Sequence, residues 1–186
     1  MNHLGTRTIE TERLILRQFT MDDVVPMYKN WASDPEVTKY VTWPAHSSTA
    51  ITAMVMTDWV EAYERPDCYN WAITLKAEGN APIGNISAVQ VMDKIDAVEV
   101  GYCMGRAWWG SGIMTEAMGA VIDFFFGQVG ANRVCARHDT SNPGSGRVMA
   151  KNGMTYEGTL RQAARNNQGI VDIAVYSILA EEWHRK

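Results

Sequence analysis

Three glycines, Gly105, Gly110 and Gly112, lie between a strand-like segment ending near Met104 and a helix-periodic run starting near Gly112. The first N–H groups of a helix have no intrahelical partner and carry the positive end of its dipole. Glycines there leave no Cβ between those donors and an incoming phosphate. The run Gly110, Ser111, Gly112, Ile113, Met114 and Thr115 therefore suits a diphosphate-bearing ligand: a nucleotide, a dinucleotide or coenzyme A. The first two fit poorly. The loop lacks the lysine of G-x-x-x-x-G-K-[ST], and it follows what counts as the fourth strand, whereas a dinucleotide fingerprint follows the first. A second polar group, Asn142 and Ser145, has N-x-x-S spacing at the start of a short helix. Both residue types cap helices, and a serine hydroxyl also donates a hydrogen bond. Arg147 and Lys151, four apart, share one face of that helix, where they meet either a phosphate or water.

The elements that must position these groups can be read from periodicity. Leu14 and Leu16 alternate with Arg13, Ile15 and Arg17, which predicts a strand within Arg7–Phe19. Thr20 with Asp22 and Asp23 opens a helix from about Met21 to Ala32. Ser47 or Ser48 opens a second, carrying Ile51, Met54, Val55, Trp59 and Tyr63. YNWAITL, PIGNISAVQV and AVEVGYCM read as three successive strands, and GIMTEAMGAVIDFFF as a strong helix. RVCARH is a strand, PGSGRVMAKNG a short helix closed by Asn152-Gly153, and MTYEGTLRQ and IVDIAVYSIL two closing strands. The order β-α-α-β-β-β-α-β-α-β-β is an α+β pattern with a mixed sheet. Alternation places Glu99 and Gly101 on one sheet face and Val98 and Val100 on the other.

At 186 residues, 46% hydrophobic and 20% charged, without repeat or linker, the chain is expected to form one domain over residues 1–186. No apolar run approaches the roughly 20 residues needed to span a bilayer, and the N-terminus lacks a signal-peptide core, so a cytoplasmic protein is expected. Cys68, Cys103 and Cys135 have neither disulfide-framework nor zinc-site spacing, and His46 and His138 show no ligand spacing, so no metal is assigned. The net charge of −4 is uneven: residues 1–130 hold 16 acids and 9 bases, net −7, and residues 131–186 hold 5 acids and 8 bases, net +3. That balance argues against broad nucleic-acid binding and allows a local anion site in the C-terminal part.

The ordered set W-G-S-G-I-M-T-E-A, a strand, then N-P-G-S-G-R-V-M-A-K-N-G, with the opening TERLILR, the middle EVGY and the ending VYSILAEEW, resembles the GNAT acetyltransferase superfamily. The similarity is greatest to its Rim-type branch, which includes the ribosomal-protein N-terminal acetyltransferases. The resemblance implies a central twisted mixed sheet of six to seven strands flanked by about four helices, with acetyl-CoA as cosubstrate. It also implies that an amine attacks the thioester directly in a ternary complex. The superfamily signature [Q/R]-x-x-G-x-[G/A] would begin at Ala107, one position after Arg106. By the same resemblance the pantetheine arm lies along the backbone of Tyr102, Cys103 and Met104. Arg106 and the loop from Gly110 to Thr115 grip the pyrophosphate, Asn142 holds the pantetheine, Ser145 donates to the leaving sulfur, and Glu99 is the first choice of general base. Some ribosomal-protein acetyltransferases carry a glutamate where this chain has Ala164.

No histidine stands near Cys103 in sequence, so its thiol is expected to be incidental. Trp31, Tyr40 and Trp43 are candidate walls of the acceptor site, with Asp34, Glu36 and Glu99 available to attract a cationic amine. Three readings follow. The first is an N-acetyltransferase acting on a protein N-terminal amine. The second acts on a small amine such as a polyamine, an amino acid or an antibiotic. The third is a non-catalytic acyl-CoA sensor. Either a monomer or a homodimer is compatible with the sequence.

Overall fold

The computed structural model describes residues 1–183; residues 184–186, the end of the expected domain and of its basic segment, lie outside the described residues. Eight strands form one sheet in the order β1-β2-β3-β4-β5-β6-β8-β7. They are β1 (Ile9–Glu10), β2 (Leu14–Arg17), β3 (Asn70–Leu75), β4 (Pro82–Met92), β5 (Ala97–Met104), β6 (Arg133–Asp139), β7 (Thr155–Asn166) and β8 (Gly169–Leu179). All neighbours are antiparallel except β5 and β6, which run parallel. The extra strand arises because the N-terminal segment turns at residues 11–13, so β1 folds back on β2.

The helix expected from Met21 to Ala32 is built in three pieces: a 3-10 turn (Met21–Asp23), α1 (Val24–Met27) and a π-helical turn (Tyr28–Ala32). α2 (Pro35–Thr38), α3 (Thr49–Ala62), α4 (Ile113–Phe124), α5 (Pro143–Lys151) and α6 (Ala180–Trp183) complete the helices. Two cores follow from which face each element buries. On one face α4 sinks Met114, Ala117, Met118, Val121 and Ile122 against Leu14, Leu16, Ile73, Ile86, Val98 and Val100. Each large apolar side chain so buried contributes about 1.5–3 kcal/mol relative to exposure. On the other face Phe19, Met27, Trp31 and Met56 from the α1–α3 layer pack on Ala72 and Cys103. The alternation expected in β5 is observed: Val98 and Val100 face the α4 core, while Glu99, Gly101 and Cys103 face the α1–α3 side.

Candidate active site

The site begins where the sheet fails to close. β5 and β6 pair only through Ala97–Arg133, Val98–Val134 and Glu99–Cys135. Beyond that point β5 stays with β4 as far as Met104–Gly84, and β6 stays with β8 as far as Asp139–Ile173. The two arms therefore form a V with Glu99 at its apex. Between Val100 and Met104, alternate residues of β5 turn main-chain N–H and C=O groups into the gap. β4 carries a bulge at Val89 opposite this segment, and a Cβ on Gly101 would lie 2.8 Å from Val89 Cγ1, so a side chain there would require Val89 to shift.

The glycine loop closes the end of the β5 arm. Gly110 and Gly112 have φ of +77° and +79°, a left-handed conformation that costs other L-residues about 1–2 kcal/mol. Gly112 is the N-cap of α4, so the N–H groups of Ile113, Met114 and Thr115 open outward at the helix start. Trp109 Nε1 donates to Met104 O (2.7 Å) and Ser111 Oγ to Trp108 O (2.6 Å), which fixes the loop on the strand. Arg13, whose sequence context signals only a strand, braces it from outside. Its Nη1 donates to Ser111 O (3.0 Å) and its Nε pairs with Glu116 Oε2 (2.6 Å). Burial opposes charge on Glu116, but hydrogen bonds from Thr11 and Arg13 outweigh it, and its carboxyl titrates below the usual range. Glu116 is thus held against the N-terminal hairpin by a neutralising partner. Arg106 is turned elsewhere: its Nε pairs with Asp34 Oδ2 (2.6 Å). Asp34 also caps α2 by accepting from the Glu36 N–H (2.9 Å). The acid expected to draw a cationic acceptor and the base expected at the phosphates are therefore paired with each other.

On the α4–α5 face, Ser145 and Tyr102 span the V. Ser145 Oγ is 3.0 Å from Tyr102 Oη, and Tyr102 Oη donates to Ser145 O (2.9 Å). Asn142 caps α5, its Oδ1 accepting from the Ser145 N–H at 3.4 Å. Arg147 and Lys151 are exposed on α5, as their shared face implies. Asn152, foreseen only as part of the helix stop, does more: its Nδ2 donates to Thr115 O (3.2 Å) and Val148 O (2.9 Å), tying α5 to the first turn of α4.

On the opposite face Arg137 Nε meets Glu99 Oε1 at 2.7 Å across the apex. Burial pushes the Cys103 thiol up to about 12, so it is protonated at neutral pH. Trp31 is completely buried between Phe19 and the sheet, which corrects its expected place as an open wall: the helix turns it into the second core. Tyr40 and Trp43 are half-buried in the loop after α2. That loop is fastened to the turn between β7 and β8. Asn167 Nδ2 donates to Thr38 O (2.7 Å) and Trp43 O (2.8 Å), and the Asn167 N–H to Val41 O (3.3 Å). Asn166 ties the same turn to Asp139 at the end of β6 (2.7 Å). A strap thus crosses from the helical side of the β5 arm to the tip of the β6 arm. Asparagines in a turn signal only the turn, so this long-range contact was invisible in the sequence. Among the described residues, no group of three or more His, Cys, Asp or Glu is arranged to hold a metal.

A parallel strand pair that parts over a glycine-started helix matches the comparison with known families: the model for the acetyltransferase (GNAT) domain covers residues 13–155. The chain belongs to the GNAT acetyltransferase family. It is an acetyl-CoA-dependent N-acetyltransferase of that type. Among its relatives, Bacillus subtilis YoaA, named an uncharacterized N-acetyltransferase, is 30% identical over 92% of this chain and 96% of its own. The Escherichia coli ribosomal-protein-serine acetyltransferase is 30% identical over 51% of this chain and 53% of its own. The crystal structure of a GNAT-family acetyltransferase from Bacillus anthracis superposes with a TM-score of 0.82 at 25% identity, covering 95% of this chain and all of the other. The residues along the gap between β5 and β6 fit the coenzyme that this family uses. The gap offers unpaired main-chain edges for the amides of pantetheine, and the α4 N-terminus offers donors for the pyrophosphate.

Proposed function

We propose that this GNAT enzyme acetylates the α-amine of a polypeptide N-terminus, presented end-on at the V. The observation that carries the reading is the parting of β5 and β6 beyond Glu99, next to the glycine-capped start of α4. In it the main chain of Tyr102, Cys103 and Met104 lies beside pantetheine, and Asn142 steadies it. The amides of residues 110–115 take the pyrophosphate, with Arg147 and Lys151 on the same side for the remaining phosphate. Glu99 takes the proton from the attacking amine, and Ser145 donates to the departing sulfur. Tyr40 and Trp43 flank the acceptor entrance. The relation to the E. coli ribosomal-protein-serine acetyltransferase supports the choice of acceptor.

A second reading, a small primary amine, is favoured by the strap, since Asn167 fastens the loop that would have to open for a lengthwise peptide. No helix among the described residues is long and apolar enough to cross a membrane, and the proposal places the reaction in the cytoplasm.

Coenzyme A thiol release from acetyl-CoA, followed with separate acceptor pools, decides between the readings. One pool holds short peptides with varied free N-termini; the other holds polyamines, amino acids and aminoglycosides. Release with peptides alone supports the proposal, release with small amines alone replaces it with the second reading, and silence in both with acetyl-CoA still bound points to a sensor.

A further inference from the structure

The contact between Tyr102 and Ser145 has a polarity that the chemistry fixes. A carbonyl oxygen only accepts, so the phenol proton goes to Ser145 O, and the Ser145 hydroxyl proton goes to Tyr102 Oη. Helix capping does not account for this arrangement, because Asn142 already caps α5. Ser145 O has a second potential donor within its own helix, four residues on. Nor is the contact local. Tyr102 lies on the β5 arm past the last β5–β6 rung, and Ser145 lies in the helix that follows the β6 arm, so the pair bridges the gap itself. Burial raises the phenol's pKa well above its ordinary value, with the Ser145 hydrogen bond opposing, which keeps the phenol protonated through the working range.

We infer that Tyr102 is a positioning residue that holds the Ser145 hydroxyl proton ready and backs Ser145 when it turns to the leaving sulfur. The inference rests on the proposed role of Ser145. When the tetrahedral intermediate collapses, the C–S bond breaks, its electron pair stays on sulfur, and the acetyl group remains on the amine nitrogen. Ser145 Oγ–H swings from Tyr102 Oη to the thiolate. Tyr102 Oη–H swings from Ser145 O to Ser145 Oγ, so each oxygen keeps a partner. Neither residue ionises: the proton the thiol finally carries is the one the amine gives up in becoming an amide. The advantage over an isolated serine is electrostatic, because a donor that itself accepts a hydrogen bond is more polarised.

Coenzyme A is the probe, and no acceptor is needed. The thiol of the bound molecule is titrated by thiolate absorbance, with the desulfo-coenzyme A complex as blank, and affinity is measured by calorimetry. In the unmodified protein the bound thiol is expected to titrate about one to two pH units below free coenzyme A. Tyr102→Phe and Ser145→Ala should each move it back up, the double variant should go no further than Ser145→Ala, and affinity measured at neutral pH, where the thiol form dominates, should stay within about three-fold. A structural role would weaken binding or melting without moving the titration. The inference is overturned if Tyr102→Phe leaves the bound thiol titrating as in the unmodified protein, or if the two effects add. A silent Ser145→Ala also overturns it, by removing Ser145 from the sulfur. Failure of the unmodified protein to bind coenzyme A would instead sink the acetyl-CoA assignment. Replacing Tyr102 by 3-fluorotyrosine keeps the shape and strengthens the donor; it should lower the bound thiol's pKa further, and no shift would count against the inference even if Tyr102→Phe did not fold.

Discussion

Arg137 and Glu99 form an ion pair across the apex of the V, with Nε 2.7 Å from Oε1. The carboxylate is mostly buried and the guanidinium half-exposed, so the pair orients Glu99 more than it stabilises the fold. Glu99→Gln keeps an oxygen for Arg137 but cannot take a proton. It is expected to lower kcat by about a hundred-fold or more, with acetyl-CoA affinity and melting temperature nearly unchanged. Steady-state kinetics beside calorimetry checks this, and an undiminished kcat would remove Glu99 from the base role.

Cys103 should be chemically silent. With its thiol pushed up to about 12 by burial, thiolate is negligible at neutral pH. Cys103→Ser is expected to retain turnover within about three-fold, and iodoacetamide should not label this position in the folded protein. Mass spectrometry of the alkylated protein is the direct check.

Gly110 isolates backbone strain from packing, because a Cβ there would meet nothing within 4 Å while its φ is +77°. Gly110→Ala should cost about 1–2 kcal/mol through the left-handed backbone alone. Because the loop presents the α4 amides, acetyl-CoA affinity should fall along with stability. Denaturant unfolding with and without acetyl-CoA separates the two losses.

The strap makes a prediction about the acceptor only. Asn167→Ala deletes the bonds to Thr38 O and Trp43 O while leaving the glycine loop untouched. The KM for the acceptor should rise several-fold, as expected when ordering of a binding loop must be supplied on binding, and the KM for acetyl-CoA should stay constant. Equal rises in both would show that the strap serves the whole fold.

Glu157 sets an acid window. The hydrogen bonds from Arg133 hold its carboxyl at about 2, against an ordinary 4.5. A carboxyl depressed in the folded state means that the unfolded chain binds more protons as pH falls. The stability from this pair is therefore complete above about pH 5 and is lost as pH falls toward 2. Arg133→Gln should lower stability by a constant amount above pH 5, and the two unfolding curves should converge toward pH 2.

How much of this could be read in advance divides along physical lines. Alternation in Ala97–Met104 correctly separated Glu99 from Val98 and Val100, because a strand's period depends only on local geometry. The glycine pattern was legible for the same reason: φ near +78° at positions 110 and 112 is a local demand that glycine meets. Trp31 was misplaced as an open wall, since periodicity does not say which way a short irregular helix faces. Asp34 with Arg106, Glu99 with Arg137, and Asn167 with Thr38 and Trp43 join residues 72, 38, 129 and 124 apart in sequence, by residue number.

By itself, then, the amino-acid sequence determined the order of seven of the eight strands and of the longer helices, the glycine loop before α4 and the α+β class, all of which rest on interactions within a few residues. The tertiary structure alone decided that β5 and β6 part beyond Glu99, that Tyr102 reaches Ser145 across that gap, and that Asp34 and Glu99 are already paired with arginines. Charge pairing and strand separation depend on distances through space, and these exist only once both cores have packed and fixed the two arms of the sheet.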